Sequence, residues 1–539
     1  MSVSLKFAEQ LCDLGVPVTR LVTDSRAVQA GDTFVAYPGE KNDGRGYIAQ
    51  AIAQGATSVI WESQKFDWNG DWQVASMPVA DLRQKSGWLA DVVYGKPSGA
   101  LWMVGVTGTN GKTSISHWIA QALSEAGKKC AMIGTLGNGF AGALQATVNT
   151  TPDAIHVHGL LAQYREDGAQ AVAMEVSSHA LAQGRVNGVC FDVALLTNLT
   201  RDHLDYHGDM QGYSAAKRRL FDWKSLKYAV VNLDDVFGAE LALRLREKDV
   251  EVVGYGLTDA ALQLAGKHGL RMVKGHLLAM SGEGMRLGIH SSWGVAELNS
   301  ALIGRFNAAN LLGALAALLV SDIGLNQAVS SLSRAQPVAG RMQKIGNAGQ
   351  PAVIVDYAHT PDALEKVLLA LRELCDTNQQ SGRLICLFGC GGDRDRGKRA
   401  MMGQVAEKLA DHCIVTSDNP RSEDPEGIIS EIVSGMTASR HEVVIDRAEA
   451  IQHAMSVARA GDIVLLAGKG HENYQEIHGV KHEFSDQAVA VTALNKCQND
   501  HESNASHDRF PHHNPLPLAG EEANATLREF HINLAGGDQ

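Results

Sequence analysis

Residues 101–113 read LWMVGVTGTNGKT, an apolar run that ends in a glycine-rich turn and a lysine–threonine pair. Apolar residues then recur at Ile115, Trp118, Ile119, Ala122 and Leu123, the spacing of one helix face. A strand feeding such a loop into a helix lets backbone N–H groups and the helix N-terminus cradle polyphosphate, so the segment predicts a nucleotide site on a parallel sheet. Gly108, Thr109, Asn110, Gly111, Lys112, Thr113 and Ser114 are the expected contacts of a nucleotide's polyphosphate, with Lys112 against the outer phosphates and Thr113 on Mg²⁺. The strict GxxxxGK[ST] pattern is not met: Val106 holds the first glycine position and Gly105 lies one residue earlier.

Outward from this loop, strands are predicted at 171–176, 193–198, 228–232 and 250–255, separated by helical stretches as βαβ construction demands. Residues 270–303 alternate with turn-like glycines and read as antiparallel. A further series starts near Pro351, with strands at 353–356, 384–388, 413–417, 443–445 and 463–467. Toward the N-terminus, short strand-like pieces (20–24, 33–37), a helical stretch (47–56) and an apolar run (57–61) form a small unit. The expected fold is α/β with three domains: a small N-terminal α/β domain (1–95), a central P-loop-type parallel-sheet nucleotide domain (96–335) and a C-terminal Rossmann-like doubly wound domain (336–496). Residues 497–539, rich in His, Asn, Pro and acids, are expected to be a disordered tail in which His512 and His513 are solvated.

A chain of 539 residues suits about three domains, and a net charge of -12 argues against nucleic-acid binding, which needs a basic face. Small molecules are the expected partners. Eight cysteines without a CxxC pair read as reduced, buried thiols. Neither a signal peptide nor a run of roughly 18 apolar residues is present, so a cytoplasmic protein without membrane insertion is expected.

Glu175 stands at a predicted strand end in AMEVSSHAL, and TNLTRDHLDYHGDM brings Asp202, His203, Asp205 and His207 to another, where oxygen and imidazole ligands could hold Mg²⁺. An unpaired carboxylate there is costly unless it meets a cation, and the alternative reading of Glu175, an N-cap or an exposed strand-end acid, is the weaker one. Alone, Lys217 in SAAKRRLF is a solvated lysine on an amphipathic helix, Asn307 in GRFNAAN is a helix cap, and Asp418-Asn419-Pro420-Arg421 is a turn capping the next helix.

GTNGKTS after an apolar strand, with its altered glycine spacing, resembles the loop of the Mur ligase and folylpolyglutamate synthase superfamily, and the likeness extends over nearly the whole chain before the tail. It implies an ATP-dependent ligase that joins a carboxylate to an amine through an acyl-phosphate. It also implies metal ligation by Thr113, Glu175, His203 and Lys217, the last as a carbamate (N6-carboxylysine). CO₂ would turn a cation that repels Mg²⁺ into an anion that binds it. Lys112, Glu175, His203 and Lys217 are the implied catalytic residues; Asn307, Arg341 and Asp356 are the implied base, hinge-side and ribose contacts of ATP. Thr23, Ser25, Asn149, Thr150, Thr151, Ser177, Gln183 and Arg185 match positions that contact a UDP-N-acetylmuramoyl dipeptide.

DNPR resembles the branch that adds meso-diaminopimelate in peptidoglycan precursor synthesis, with Arg394, Asp418, Asn419, Pro420, Arg421, Gly468 and Glu472 as its amine pocket. The charge logic agrees, because diaminopimelate has a second carboxylate that lysine lacks and a guanidinium can grip it in a bidentate pair. A monomer is expected. A ligase adding lysine, or glutamate to folate, is the nearest rival; a P-loop ATPase that needs no amine is the rival from another class.

Overall fold

The computed structural model describes residues 3–507 except 41, 348, 378–381 and 439. Three sheets carry the fold. The first is a parallel four-stranded sheet in the order Leu21–Val22, Thr33–Ala36, Ser58–Glu62, Ala75–Val79.

The second has eleven strands, and the loop strand Trp102–Thr107 lies inside it between Ala171–Glu175 and Val193–Leu196. The chain leaves that strand toward Cys130–Gly134, returns through Ala171–Glu175, and crosses to the far side at Val193–Leu196, from which Tyr228–Asn232, Glu251–Gly256 and the start of Arg271–Ser281 continue in parallel. The strand order therefore reverses beside the glycine loop, and in open α/β sheets such a switch leaves a crevice at the strands' carboxyl ends. Alternation along each strand explains the double cover: Val104, Val106, Ala173 and Leu195 face a core shared with the helices Lys112–Glu125 and Arg305–Val320, whereas Met103, Met174 and Leu196 face the helices Ala154–Glu166 and Val236–Leu245.

The third sheet runs Gln343–Ile345, Ala352–Asp356, Ile463–Ala467, Leu384–Phe388, His412–Val415, His441–Val443, parallel except for its first strand. The expected antiparallel stretch is the meander Arg271–Ser281, Gly284–Ser291, Gly294–Ser300.

Several elements escaped the sequence reading: Ala75–Val79, Cys130–Gly134 with its antiparallel neighbours Gly137–Phe140 and Ala143–Gln145, and the hairpin Tyr474–Ile477/Val480–Glu483. Ala143–Gln145 and Val480–Glu483 are mostly exposed, so hydrophobic pattern gives them no signal, whereas Ala75–Val79 buries Met77 and Val79 around a proline that masks its alternation. Two cysteines depart from the expected burial: Cys12 and Cys190 are exposed, Cys130, Cys375, Cys386, Cys390 and Cys413 are buried, and the Cys497 side chain lies outside the described residues. The last described helix, Asp486–His507, runs into the stretch assigned to the tail; residues 508–539, with His512 and His513, lie outside the described residues. Among the described residues no helix is long and apolar enough to cross a membrane.

Candidate active site

The glycine loop is shaped by what surrounds it. Gly108 has φ +144°, and a Cβ there would lie 1.8 Å from Thr197 Oγ1; Gly111 has φ +88°, with Asn310 Oδ1 only 2.4 Å from the corresponding point. Only glycine accepts that backbone in that space. The 197–200 segment pins the loop: Thr109 N–H donates to Asn198 O (2.9 Å), Asn110 N–H to Asn198 Oδ1 (3.0 Å), and Thr200 N–H to Thr109 Oγ1 (3.0 Å).

Two lysines converge on one carbonyl. Lys112 Nζ donates to Gly108 O (2.9 Å) and Thr109 O (2.8 Å), and Lys217 Nζ donates to the same Gly108 O (2.8 Å). Burial lowers the pKa of Lys112. Burial, followed by the charge of Lys112, holds Lys217 well below the ordinary lysine range. Lys217 is 1% exposed, with its amine over the Tyr213 ring (4.4 Å), so the solvated-lysine reading is wrong.

Glu175 is buried and accepts from Thr113 Oγ1 (3.0 Å), Thr135 N (2.8 Å) and Thr135 Oγ1 (3.2 Å). It is neither an N-cap nor exposed; Ser177 caps the helix that follows. All three of these donors are neutral, which leaves a carboxylate beside a hydroxyl suited to a hard cation. His203, in the left-handed region at φ +55°, contacts Asp202 Oδ2 through Nε2 (3.3 Å), and burial lowers its pKa to about 3. A neutral imidazole is the form that binds metal. Among the described residues no three His, Cys, Asp or Glu side chains converge as a finished metal site. The expected ligands are instead distributed, Thr113 with Glu175, His203 on Asp202 and Lys217 on Gly108 O. Their chemistry fits Mg²⁺ once Lys217 carries an oxygen donor. Asp205 joins no such group; His207 Nε2 bonds Ser178 Oγ (2.9 Å).

A cavity of about 480 Å³ opens beside the loop, lined by Asn110, Gly111, Thr113, Ser114, Asn307, Arg341 and Asp356 among others. Asn307 does not cap its helix, whose cap is Gly304; it bonds Ile303 O (2.9 Å) and Asn310 (3.3 Å). Arg341 joins the sheets, donating to Thr113 Oγ1 (3.3 Å) and lying over Tyr357 (4.5 Å), while its buried Nε has no hydrogen-bond partner among the described residues. Both Asp356 carboxylate oxygens accept backbone N–H groups, from Met342 (2.7 Å) and Ala358 (2.8 Å), so it ties two backbone segments together as well as lining the cavity.

The positions matched to the UDP-sugar dipeptide divide. Thr151, Ser177, Gln183 and Arg185 form one network: Ser177 N–H donates to Thr151 Oγ1 (3.1 Å), Arg185 Nε to Gln183 Oε1 (2.7 Å) and Arg185 Nη1 to Thr151 O (2.8 Å). Thr150 Oγ1 meets Thr135 Oγ1 (3.0 Å), and Asn149 is exposed. Thr23 and Ser25 belong to the first sheet's loop, where Ser25 Oγ donates to Gln50 Oε1 (3.0 Å).

On the third sheet, the DNPR turn follows His412–Val415 and is not the cap of the next helix, a role Asp424 takes. Sequence reading missed the residue that organises it. Lys469, wholly buried, reaches Asn419 Oδ1 (3.0 Å), Asp418 Oδ1 (3.4 Å) and Glu472 Oε2 (3.4 Å), and Asn419 Nδ2 donates to Glu472 Oε2 (2.8 Å). Its only signal was a lysine between Gly468 and Gly470 after an apolar strand. Glu472, which the resemblance places in the amine pocket, is therefore already paired with a lysine. Gly468 (φ +110°) lets the chain pass Asp418. Arg421 and Arg394 flank Gly391, and Arg421 bonds Gly392 O (2.7 Å) and Glu476 Oε2 (3.3 Å) while Arg394 is exposed.

Three family models match the chain in order: Mur ligase family, catalytic domain (17–94), Mur ligase middle domain (106–318), and Mur ligase, glutamate ligase domain (340–470). Relatives named UDP-N-acetylmuramoyl-L-alanyl-D-glutamate–2,6-diaminopimelate ligase include that of Chromobacterium violaceum, 52% identical over 90% of this chain and 96% of its own, and that of Nitrosomonas europaea, 49% identical over 90% and 94%. A solved structure of a ligase of that name superposes with TM-score 0.61 at 38% identity, covering 89% of this chain and 96% of its own. A Thermotoga maritima MurF ligase solved with ADP shares the fold (TM-score 0.59, 18% identity, 92% and 99% covered). The chain belongs to the Mur ligase family.

Proposed function

We propose that this chain is an ATP-dependent ligase that adds meso-2,6-diaminopimelate to the D-glutamate of UDP-N-acetylmuramoyl-L-alanyl-D-glutamate, in cytoplasmic peptidoglycan precursor synthesis, acting as a monomer. The observation that carries this reading is a divided site. A phosphate loop with two lysines on Gly108 O lies at the central sheet's switch point, and an arginine pair, Arg394 and Arg421, flanks Gly391 on the third sheet. We assign 1–95 to the UDP-substrate, 96–335 to ATP and 336–496 to the amino acid.

Gly108, Thr109, Asn110, Gly111, Ser114, Asn307, Arg341 and Asp356 hold ATP. The Thr151, Ser177, Gln183 and Arg185 network, with Thr23, Ser25, Asn149 and Thr150, holds the UDP-sugar dipeptide. The substrate's side-chain carboxylate attacks the γ-phosphorus and gives an acyl-phosphate and ADP. Two anions must approach, and Lys112, released from its two loop carbonyls, screens them. Bound Mg²⁺ neutralises phosphate charge; Thr113, Glu175, His203 and carbamylated Lys217 would hold it. The carbamate reading is supported by Lys217 itself: a buried amine beside another cation is pushed toward its neutral, nucleophilic form, the form that adds CO₂. The amine, held by Arg394 and Arg421 around the Asp418, Asn419, Pro420, Gly468 and Glu472 turn, then attacks the acyl carbon and expels phosphate.

Phosphate release from ATP is measured with the UDP-dipeptide and diaminopimelate, lysine or no amine. Release that requires diaminopimelate and yields the tripeptide is expected; release indifferent to amine refutes the ligase in favour of a plain ATPase.

A further inference from the structure

Two loops from different sheets meet through Arg201 and Asp395. Arg201 lies in the segment between Val193–Leu196 and the helix Leu204–His207, two residues before His203; Asp395 follows Arg394 in the loop between Leu384–Phe388 and Lys398–Leu409. The contact is a fork on a carboxylate, Nε to Oδ2 at 3.1 Å and Nη2 to Oδ1 at 3.2 Å, the geometry that fixes orientation as well as distance. The Asp395 side chain is 9% exposed and is held from behind by Gly397 N–H (2.9 Å). Gly397 itself makes room, because a Cβ there would stand 2.5 Å from Arg201 Nη2. Arg201, Asp395 and Arg394 line one groove. Next in sequence, Asp202 faces His359 of the third sheet (3.7 Å), so neighbouring charges of opposite sign both reach across. A surface ion pair alone would be worth little, but this one joins the segment bearing His203 to the loop bearing Arg394.

We propose that Arg201 and Asp395 are a positioning pair that holds the amine-binding loop in register with the phosphate site, so that the amine meets the acyl-phosphate before water does. This rests on the ligase reading. The pair touches no reacting atom; its effect passes through Arg394, and its loss leaves the acyl-phosphate forming normally but exposed to hydrolysis.

The test compares Arg201→Met, Arg201→Lys, Asp395→Asn and the exchanged pair Arg201→Asp/Asp395→Arg in the full chain, measuring KM for each substrate and ADP formed per tripeptide. Arg201→Met and Asp395→Asn are expected to raise KM for diaminopimelate about tenfold and ADP per tripeptide above one, with KM for ATP and the UDP-dipeptide within about twofold. Arg201→Lys, which keeps the charge, recovers most of the coupling. Recovery of coupling in the exchanged pair further supports the pairing; KM and coupling unchanged in both single neutral variants, or Arg201→Lys no better than Arg201→Met, overturn it. If the unsubstituted protein shows no amine-dependent turnover, the ligase reading itself fails and the pair falls with it.

Discussion

Replacing Asp91 by Asn should stabilise the protein at neutral pH, and the size of the gain follows from one buried contact. Asp91, on the helix Leu82–Val93, faces His158, on Ala154–Glu166. His158 Nε2 bonds Asn187 O (2.9 Å), and a carbonyl only accepts, so Nε2 carries the proton and Nδ1 presents a lone pair. That lone pair lies 3.9 Å from Asp91 Oδ1, and among the described residues neither atom has a hydrogen-bond partner. Acceptor faces acceptor. Burial accordingly raises the Asp91 pKa to about 6 and lowers that of His158 to about 4, leaving the imidazole neutral at pH 7. A carboxyl whose folded pKa lies above its unfolded value contributes stability when protonated, at low pH, and loses it as pH rises through the folded value. At about 1.4 kcal/mol per pH unit of displacement, the ionised group costs the fold about 3 kcal/mol at pH 7.5 and about half that at pH 5. An asparagine cannot ionise, and its amide can donate to His158 Nδ1. Urea unfolding followed by tryptophan fluorescence at both pH values should therefore show Asp91→Asn more stable than its parent, with the advantage shrinking on acidification. A variant less stable than its parent at pH 7.5, or an advantage equal at both pH values, would refute the reasoning; the His158 contribution is common to both proteins.

Gly108→Ala should remove ATP binding, because φ +144° and a Cβ 1.8 Å from Thr197 Oγ1 cost at least about 3 kcal/mol by strain and clash; isothermal titration with ATP checks it. Lys469→Met should unfold the third sheet's site, leaving Asp418 and Glu472 without their shared cation at about 3–5 kcal/mol, read as a lowered thermal midpoint that ligand cannot restore. Lys217 should trap ¹³CO₂ as a carbamate visible by carbon NMR, and Lys217→Arg should show no such signal; a spectrum unchanged by that substitution sinks the assignment. Arg421→Ala should narrow the preference for diaminopimelate over lysine by about 10- to 100-fold in kcat/KM, the cost of one bidentate contact.

The glycine loop, the two series of parallel strands and the meander were legible because each rests on local physics: apolar runs that must be buried on both faces, glycines where the backbone turns, and helical spacing in the segment after Lys112. Residue chemistry also pointed to Glu175, His203, Lys217 and the DNPR turn, and the likeness to a known superfamily supplied the roles that composition could not. Local sequence left Lys217 as a solvated lysine, Asn307 as a cap and Lys469 unremarked, because burial and partners belong to the packed molecule. Only tertiary structure decided that Lys112 and Lys217 share the Gly108 carbonyl across 109 residues of chain, and that Lys469 binds Asp418 and Asn419 some 50 residues away. It also decided that Arg201 meets Asp395 194 residues on. The reason is physical: sequence fixes which groups are available and how each segment prefers to fold locally, whereas the partner of a buried charge depends on which strands are neighbours, and that order is set by the packing of the whole sheet.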